Sequence, residues 1–375
     1  MTNRVVVSLL AVLALGLGVS CQPPPLTQSR LQTGIANLVI ISEMREEGST
    51  IWAINPADLL DKRLLASFPH QSGFPLRGAI SPDGRSMALV QLPPGAERFS
   101  GARVVVMNKD GTGQRTLEDG IDYDITPLWS PDSRELVFVK RSGQPQAPGG
   151  APGAAEVPPP APSAEVYAVG SDGNNRRLLF KDAQSLDLYL VAWQKDGKRV
   201  ILRRFLTTGD ELWALDLAGS PLQRLSVLSR TPAYGVGLSP DGASVIASVR
   251  QDDSSYDVIS QSMDGQSRRV LSKGNRRPSN AIFAPDGRRI AIDVEPPQQG
   301  AALGIMEAGA DTITRLSSPS GGKEVPLTFS PDGEWLLVRH LQEGRARALI
   351  LRIRDGTKEY LETAYWVEPI GWTKG

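Results

Sequence analysis

Six aspartates are the residues of this chain whose spacing first suggests chemistry. Asp83, Asp132, Asp196, Asp241, Asp286 and Asp332 follow one another at intervals of 49, 64, 45, 45 and 46 residues. A set of carboxylates could hold a divalent cation or move a proton. Their neighbours argue for another job. They sit in Ser81-Pro82-Asp83-Gly84, Ser130-Pro131-Asp132-Ser133, Gln194-Lys195-Asp196-Gly197, Ser239-Pro240-Asp241-Gly242, Ala284-Pro285-Asp286-Gly287 and Ser330-Pro331-Asp332-Gly333. In such a tetrad proline pre-sets φ, aspartate accepts from nearby backbone N–H groups, and glycine takes the left-handed position that closes a hairpin. The six aspartates therefore read as structural turn residues, each with its own copy of one local task.

Other catalytic constellations are poorly supplied. The chain has two histidines, His70 and His340, and one cysteine, Cys21. A serine triad would have to draw its base from those two, and no Gly-x-Ser-x-Gly elbow is present. A three-histidine zinc site is impossible, an intramolecular disulfide is impossible, and neither a phosphate loop nor a dinucleotide fingerprint appears. No cofactor and no metal are expected. The 41 basic and 41 acidic side chains cancel, which argues against a nucleic-acid partner.

The elements that position these turns are short strands. Glycine and proline make up 66 of 375 residues, about 18% against a usual roughly 12%, and mark many turns. After each tetrad comes an apolar run: Met87–Val90, Leu136–Val139, Val200–Leu202, Val245–Val249, Ile290–Val294 and Leu336–Val338. Some 25 residues later a second turn recurs, at Asp110-Gly111, Asp172-Gly173, Asp264-Gly265 and Asp355-Gly356. Each unit of about 45 residues thus holds four strands: A before the tetrad, B after it, and C and D around the second turn. This pattern resembles the TolB-like, WD40-like propeller repeat, over nearly all of residues 36–375. The resemblance implies an all-β fold, a single propeller of four-stranded blades. It is specific for fold and weak for function.

The tetrads count six blades and the strands count seven. Ile80, Trp129, Trp193, Leu238, Phe283 and Phe329 precede the tetrads, and Trp372 in Ile370-Gly371-Trp372 is a seventh equivalent. It ends a strand A with nothing after it. Strands with no A before them stand at the other end, at Leu38–Ser42, Ile51–Ile54 and Arg63–Phe68. The C-terminal strand is expected to complete the N-terminal blade, giving seven blades; six blades with a loose hairpin is the alternative.

Residues 1–20 read as a signal peptide. Arg4 is their only charge, and Val5–Gly18 is a largely apolar run too short for a comfortable membrane span. Gly18-Val19-Ser20-Cys21 resembles a bacterial lipobox, which makes Cys21 the lipid attachment residue and membrane contact. Residues 21–35 read as a tether. Gln22 is not the aspartate that retains lipoproteins at an inner membrane. The expected place is the periplasmic face of an outer membrane in a diderm source, or the outer face of the cytoplasmic membrane in a monoderm one.

The 64-residue interval contains an insertion, 142–164, with seven prolines among alanines and glycines and Glu156 as its only charge. Its composition predicts a disordered, partly polyproline II loop. In a propeller, B–C and D–A loops share one face, and A–B and C–D turns share the other. The insertion and the long segments Phe68–Pro75, Leu92–Gly101 and Asp119–Asp124 fall on the first face, where variable loops on a rigid scaffold usually bind. That face supplies the candidate partner-binding residues His70, Arg98, Tyr123, Arg276, Arg277 and Arg345. Arg203-Arg204 and Arg268-Arg269 read as strand surface. The strand A segments Tyr189–Trp193, Tyr234–Leu238, Ala281–Phe283 and Leu327–Phe329 contain no acid, which argues against a metal at the ring centre. The reading is a monomeric envelope lipoprotein that binds one or more envelope proteins without catalysis. The alternative is a metal-dependent envelope hydrolase or lyase with its site at the ring centre.

Overall fold

The computed structural model describes residues 37–46, 48–142, 163–185, 187–295, 301–317, 322–343, 345–361 and 366–374. The signal, the tether, Cys21 and most of the proline-rich insertion lie outside them. The apolar runs form strands because both of their faces are covered. In Ser86–Gln91, Met87 and Leu89 pack toward one neighbouring sheet while Ala88 and Val90 pack toward the other. Leu136 and Phe138 alternate in the same way with Val137 and Val139. A strand buried on both faces reads as an unbroken apolar run.

The described strands make seven four-stranded antiparallel sheets. In order A to D, blade 1 is Val367–Trp372, Val39–Met44, Gly48–Asn55 and Asp58–Pro69. Blade 2 is Arg77–Ile80, Ser86–Gln91, Ala102–Asn108 and Arg115–Ile121, and blade 3 is Leu128–Trp129, Glu135–Ser142, Ser163–Gly170 and Arg177–Asp182. Blade 4 is Asp187–Trp193, Arg199–Leu206, Gly209–Asp216 and Gln223–Ser229; blade 5 is Tyr234–Leu238, Ser244–Arg250, Tyr256–Ser262 and Arg268–Asn275. Blade 6 is Ala281–Phe283, Arg289–Val294, Ala302–Glu307 and Thr314–Ser317; blade 7 is Gly322–Phe329, Trp335–Gln342, Arg345–Arg352 and Lys358–Tyr360. Among the described residues there is no single central core. The buried side chains fall into seven clusters, one in each joint between neighbouring blades, including that between blades 7 and 1.

The ring closes through the C-terminal strand. Val39 pairs with Trp372 and Glu43 with Val367, and the Thr373 amide donates to the Leu38 carbonyl at 2.9 Å. Trp372 packs with Val39, Ile41, Leu337 and Ile350 in the joint to blade 7. Seven blades, and not six, is the architecture.

The tetrads are the A–B turns. In four of them the serine hydroxyl donates to the aspartate at 2.5–2.6 Å. The same serine oxygen accepts the amide that opens strand B, at 2.9 Å in each copy. The aspartate accepts the amide two residues on, as from Arg85 at 3.0 Å and Lys198 at 2.9 Å. Ser133 holds φ +64 where Gly84 holds +72, so the one copy without glycine adopts the left-handed state all the same.

Removing residues 366–375 would expose strand B of blade 1 as an unpaired edge and open the last joint. The truncated chain is expected to melt well below the intact one and to aggregate. Trp372→Ala alone is expected to cost about 3 kcal/mol. Thermal unfolding followed by light scattering checks both, and an unchanged melting temperature for the truncation would refute closure by this strand.

Candidate functional site

At the end of the ring where the D–A and B–C loops emerge, charged side chains gather around the mouth of the central channel. A cavity of about 340 Å³ there is lined by Arg77, Asp124, Leu128, Tyr189, Glu368 and Pro369, from four blades. Strand A places all of these but Asp124, which lies in the loop into blade 3, and strand A begins earlier than the sequence segments suggested. Asp187, Glu324 and Glu368 all lie in A strands. The ring centre is thus not free of carboxylates, a correction to the reading of Tyr189–Trp193 and Leu327–Phe329. Position in the strand explains the miss: these acids precede the apolar part that marks A in the sequence.

The carboxylates are not left open. Arg141, late in strand B of blade 3, bridges the fully buried Asp122 and, at 2.6 Å, Asp187 of blade 4. Asp293, late in strand B of blade 6, meets Lys323 of blade 7 at 2.6 Å. Arg339, late in strand B of blade 7, meets Glu368 of blade 1 at 3.1 Å and stacks 4.1 Å from the Trp366 ring. The strand-B position seven residues after the tetrad aspartate is charged in both blades 6 and 7, with the sign of the pair reversed, while Arg141 stands two residues further along its strand. Blade 4 uses a variant: Arg203 holds Asp210 at 3.0 Å, and Asp210 accepts the Ala233 amide of the loop into blade 5 at 2.7 Å. Burial pushes the Asp122, Asp210 and Asp293 carboxyls above their ordinary range, against the pull of those cations. Arg204 does not sit on the strand surface. It is buried, forks onto Asp182 at 2.7 and 2.9 Å, and lies 4.8 Å from the Trp213 ring.

The partner-face residues divide. Tyr123 is buried, donates to the Pro75 carbonyl at 2.6 Å, and packs edge-on to Phe74; burial raises its phenol to about 12. His70 is buried too, its Nδ1 donating to the Gln71 carbonyl at 2.8 Å. Neither stands on the exposed face, because each ring turns inward and donates to a backbone carbonyl. Arg98 is half exposed but forks onto Asp124, with Nε 2.8 Å from Oδ2 and Nη2 2.9 Å from Oδ1, stitching one loop to the next. Arg276 and Arg277 are exposed; Arg277 stands 3.8 Å from Glu295. Arg345 opens strand C of blade 7 opposite Gln342, and its side chain lies outside the described parts. The sequence reading missed Arg77 and Tyr189, which carry no motif and meet only when the ring closes.

Two constellations bear on catalysis. Among the described residues no group of three or more His, Cys, Asp or Glu side chains is placed to hold a metal ion. Ser317, Lys358, Glu324 and His340 do meet at the joint of blades 6 and 7. Lys358 Nζ lies 2.5 Å from the Ser317 hydroxyl and 2.8 and 3.0 Å from the Glu324 carboxylate. Lys358 is engaged in an ion pair with Glu324, which also accepts the Ser317 hydroxyl, and Ser317 and Glu324 are both buried. The cluster belongs to the joint.

The fold and this channel mouth define a seven-bladed β-propeller closed by its C-terminal strand. No family model and no curated protein matches the chain. Its fold is similar to that of TolB from Acinetobacter baumannii, at 14% identity over 90% of this chain and 83% of that one, TM-score 0.51. It is similar to an oligogalacturonate lyase in complex with manganese, at 13% over 82% and 84%, TM-score 0.59. A 6-phosphogluconolactonase-like protein from Bacteroides fragilis matches at 14% over 91% and 98%, TM-score 0.57. Likeness of fold at these identities spans TolB, a lyase and a lactonase-like protein, and does not decide between binding and catalysis.

Asp182 gives the site a pH signature. Its burial favours the neutral acid, but the Arg204 fork, the Ser185 hydroxyl and two backbone amides outweigh this and hold it at about 2. A carboxyl depressed below its unfolded value of about 3.9 contributes stability above that pH and loses it as pH falls toward 2. Asp182→Asn, which leaves Arg204 buried and unpaired, is expected to cost about 3 kcal/mol at pH 7. The gap to the wild type should narrow between pH 4 and pH 2 in denaturant titrations; a pH-independent gap would contradict this account.

Proposed function

We propose that this protein is a cell-envelope lipoprotein whose propeller is a non-catalytic, protein-binding scaffold. It holds its partner on the face of the long loops. The observation that carries the reading is the pairing of charges around the channel mouth: the carboxylates there brace blades against one another. A rigid ring presenting variable loops is the usual arrangement for recognition.

The chain path supports an orientation. Asn37 enters the ring on the short-turn face, where its amide donates to Asp332 at 2.6 Å, and Lys374 ends on the same face against the Pro82 carbonyl at 2.5 Å. A lipid on Cys21 would tether that face through 16 residues, about 50 Å at full stretch and roughly 20 Å on average. The long-loop face, with Arg276 and Arg277 exposed and the insertion leaving between the paired Ser142 and Ser163, then points away from the membrane.

The second reading is a metal-dependent envelope hydrolase or lyase at the ring centre, favoured by the lyase and lactonase-like neighbours. Metal analysis of the purified chain and cross-linking in intact membranes separate the two. The scaffold predicts no tightly held stoichiometric divalent metal. It also predicts a cross-linked partner whose yield falls about tenfold in Arg276→Glu/Arg277→Glu and is unchanged in Lys195→Glu on the short-turn face. One equivalent of tightly bound metal would sink it.

A further inference from the structure

Away from the channel mouth, a second concentration of charge stands out because it lacks this pairing. A groove of about 600 Å³ runs along the seam between blades 4 and 5. Arg230, Arg250 and Arg268 line it, against one carboxylate, Asp252, leaving a formal excess of two positive charges. Among the described residues none of the three guanidiniums forms an ion pair. Arg250 donates to the Ser254 hydroxyl at 3.0 Å, and Arg268 to the Leu228 carbonyl at 2.9 Å. All three belong to exposed residues. Ser229 and Thr231 add hydroxyl donors, and Val227, Leu228 and Val249 form an apolar wall.

The three arginines come from separate elements: the D–A loop after blade 4, the end of strand B of blade 5, and the start of its strand D. Folding brings like charges to one groove; Asp252 in its wall and Asp257, whose charge reaches Arg268, offset part of the repulsion, and a bound anion would offset more. Guanidinium forks match oxyanion geometry, and hydrogen bonds between ionised groups are the strong ones.

We propose that this seam binds a phosphate-type oxyanion carrying at least two negative charges, with the apolar wall taking the organic part of the molecule. The inference is independent of the scaffold reading: the groove is not the channel mouth, and failure of one leaves the other standing.

The test is calorimetric titration of the purified chain with inorganic pyrophosphate at low ionic strength. One-to-one saturable binding is expected. Each of Arg230→Ala, Arg250→Ala and Arg268→Ala should weaken it about tenfold or more, while Arg250→Lys should lose less. The control pair Arg276→Ala/Arg277→Ala should change affinity less than twofold, and circular dichroism checks that every variant is folded. No saturable binding by the wild type, or equal weakening by the control pair, overturns the proposal. Flotation with phosphatidylglycerol vesicles identifies the source. Binding that pyrophosphate displaces and the alanine variants lose means a lipid headgroup; pyrophosphate binding without flotation means a soluble phosphate compound.

Discussion

A four-stranded blade of this chain is apolar on both faces, and no blade can cover both by itself. The alternation of Met87 and Leu89 against Ala88 and Val90 sends successive side chains of one strand into two different joints. Every blade therefore needs two neighbours, and a linear array would leave two faces bare and two sheet edges open. Closure is the only arrangement that satisfies all of them. It is made by the pairing of Val39 with Trp372, residues at opposite ends of the sequence. The seven apolar joints, the channel and the two loop faces all depend on that pairing.

Apolar packing sets the joints but does not distinguish one blade angle from another by itself. At the long-loop end the joints carry charged braces: Arg141 to Asp187, Asp293 to Lys323, and Arg339 to Glu368. A buried pair of this kind is weak evidence of net stability, because desolvation offsets most of the attraction, yet breaking it is costly. What it supplies in the two arginine pairs is geometry, since a guanidinium fork fits a carboxylate from few directions. The reversed sign at blades 6 and 7 shows that the position, and not a particular residue, is what the architecture uses. The seam groove of blades 4 and 5 is the counter-example, with three guanidiniums that form no ion pair among the described residues.

The blades were legible because their signals are local. A proline that sets φ, a glycine or serine that takes the left-handed state and an aspartate that accepts the next amide sit within four residues. The apolar run that follows is uninterrupted because both faces are buried. Even the blade count followed from counting strands, since Trp372 had no B strand after it and Leu38–Ser42 had no A strand before it. The channel mouth was far less legible. Tyr123 and His70 look like loop residues offered to a partner and are buried. Arg204 looks like strand surface and is sealed onto Asp182. The acids of the A strands stand outside their apolar segments and so were left out.

Sequence alone determined the all-β repeat and the turn chemistry, because each is written within one unit, and it favoured seven units with a closing strand over six; the pairing of Val39 with Trp372 decided that count. Only the tertiary structure decided which charges meet. Arg141 and Asp187 are 46 residues apart, and Arg230, Arg250 and Arg268 come from three elements. Nothing in their local sequence marks them, for the distance between two side chains on different blades is fixed by the angle at which the ring closes.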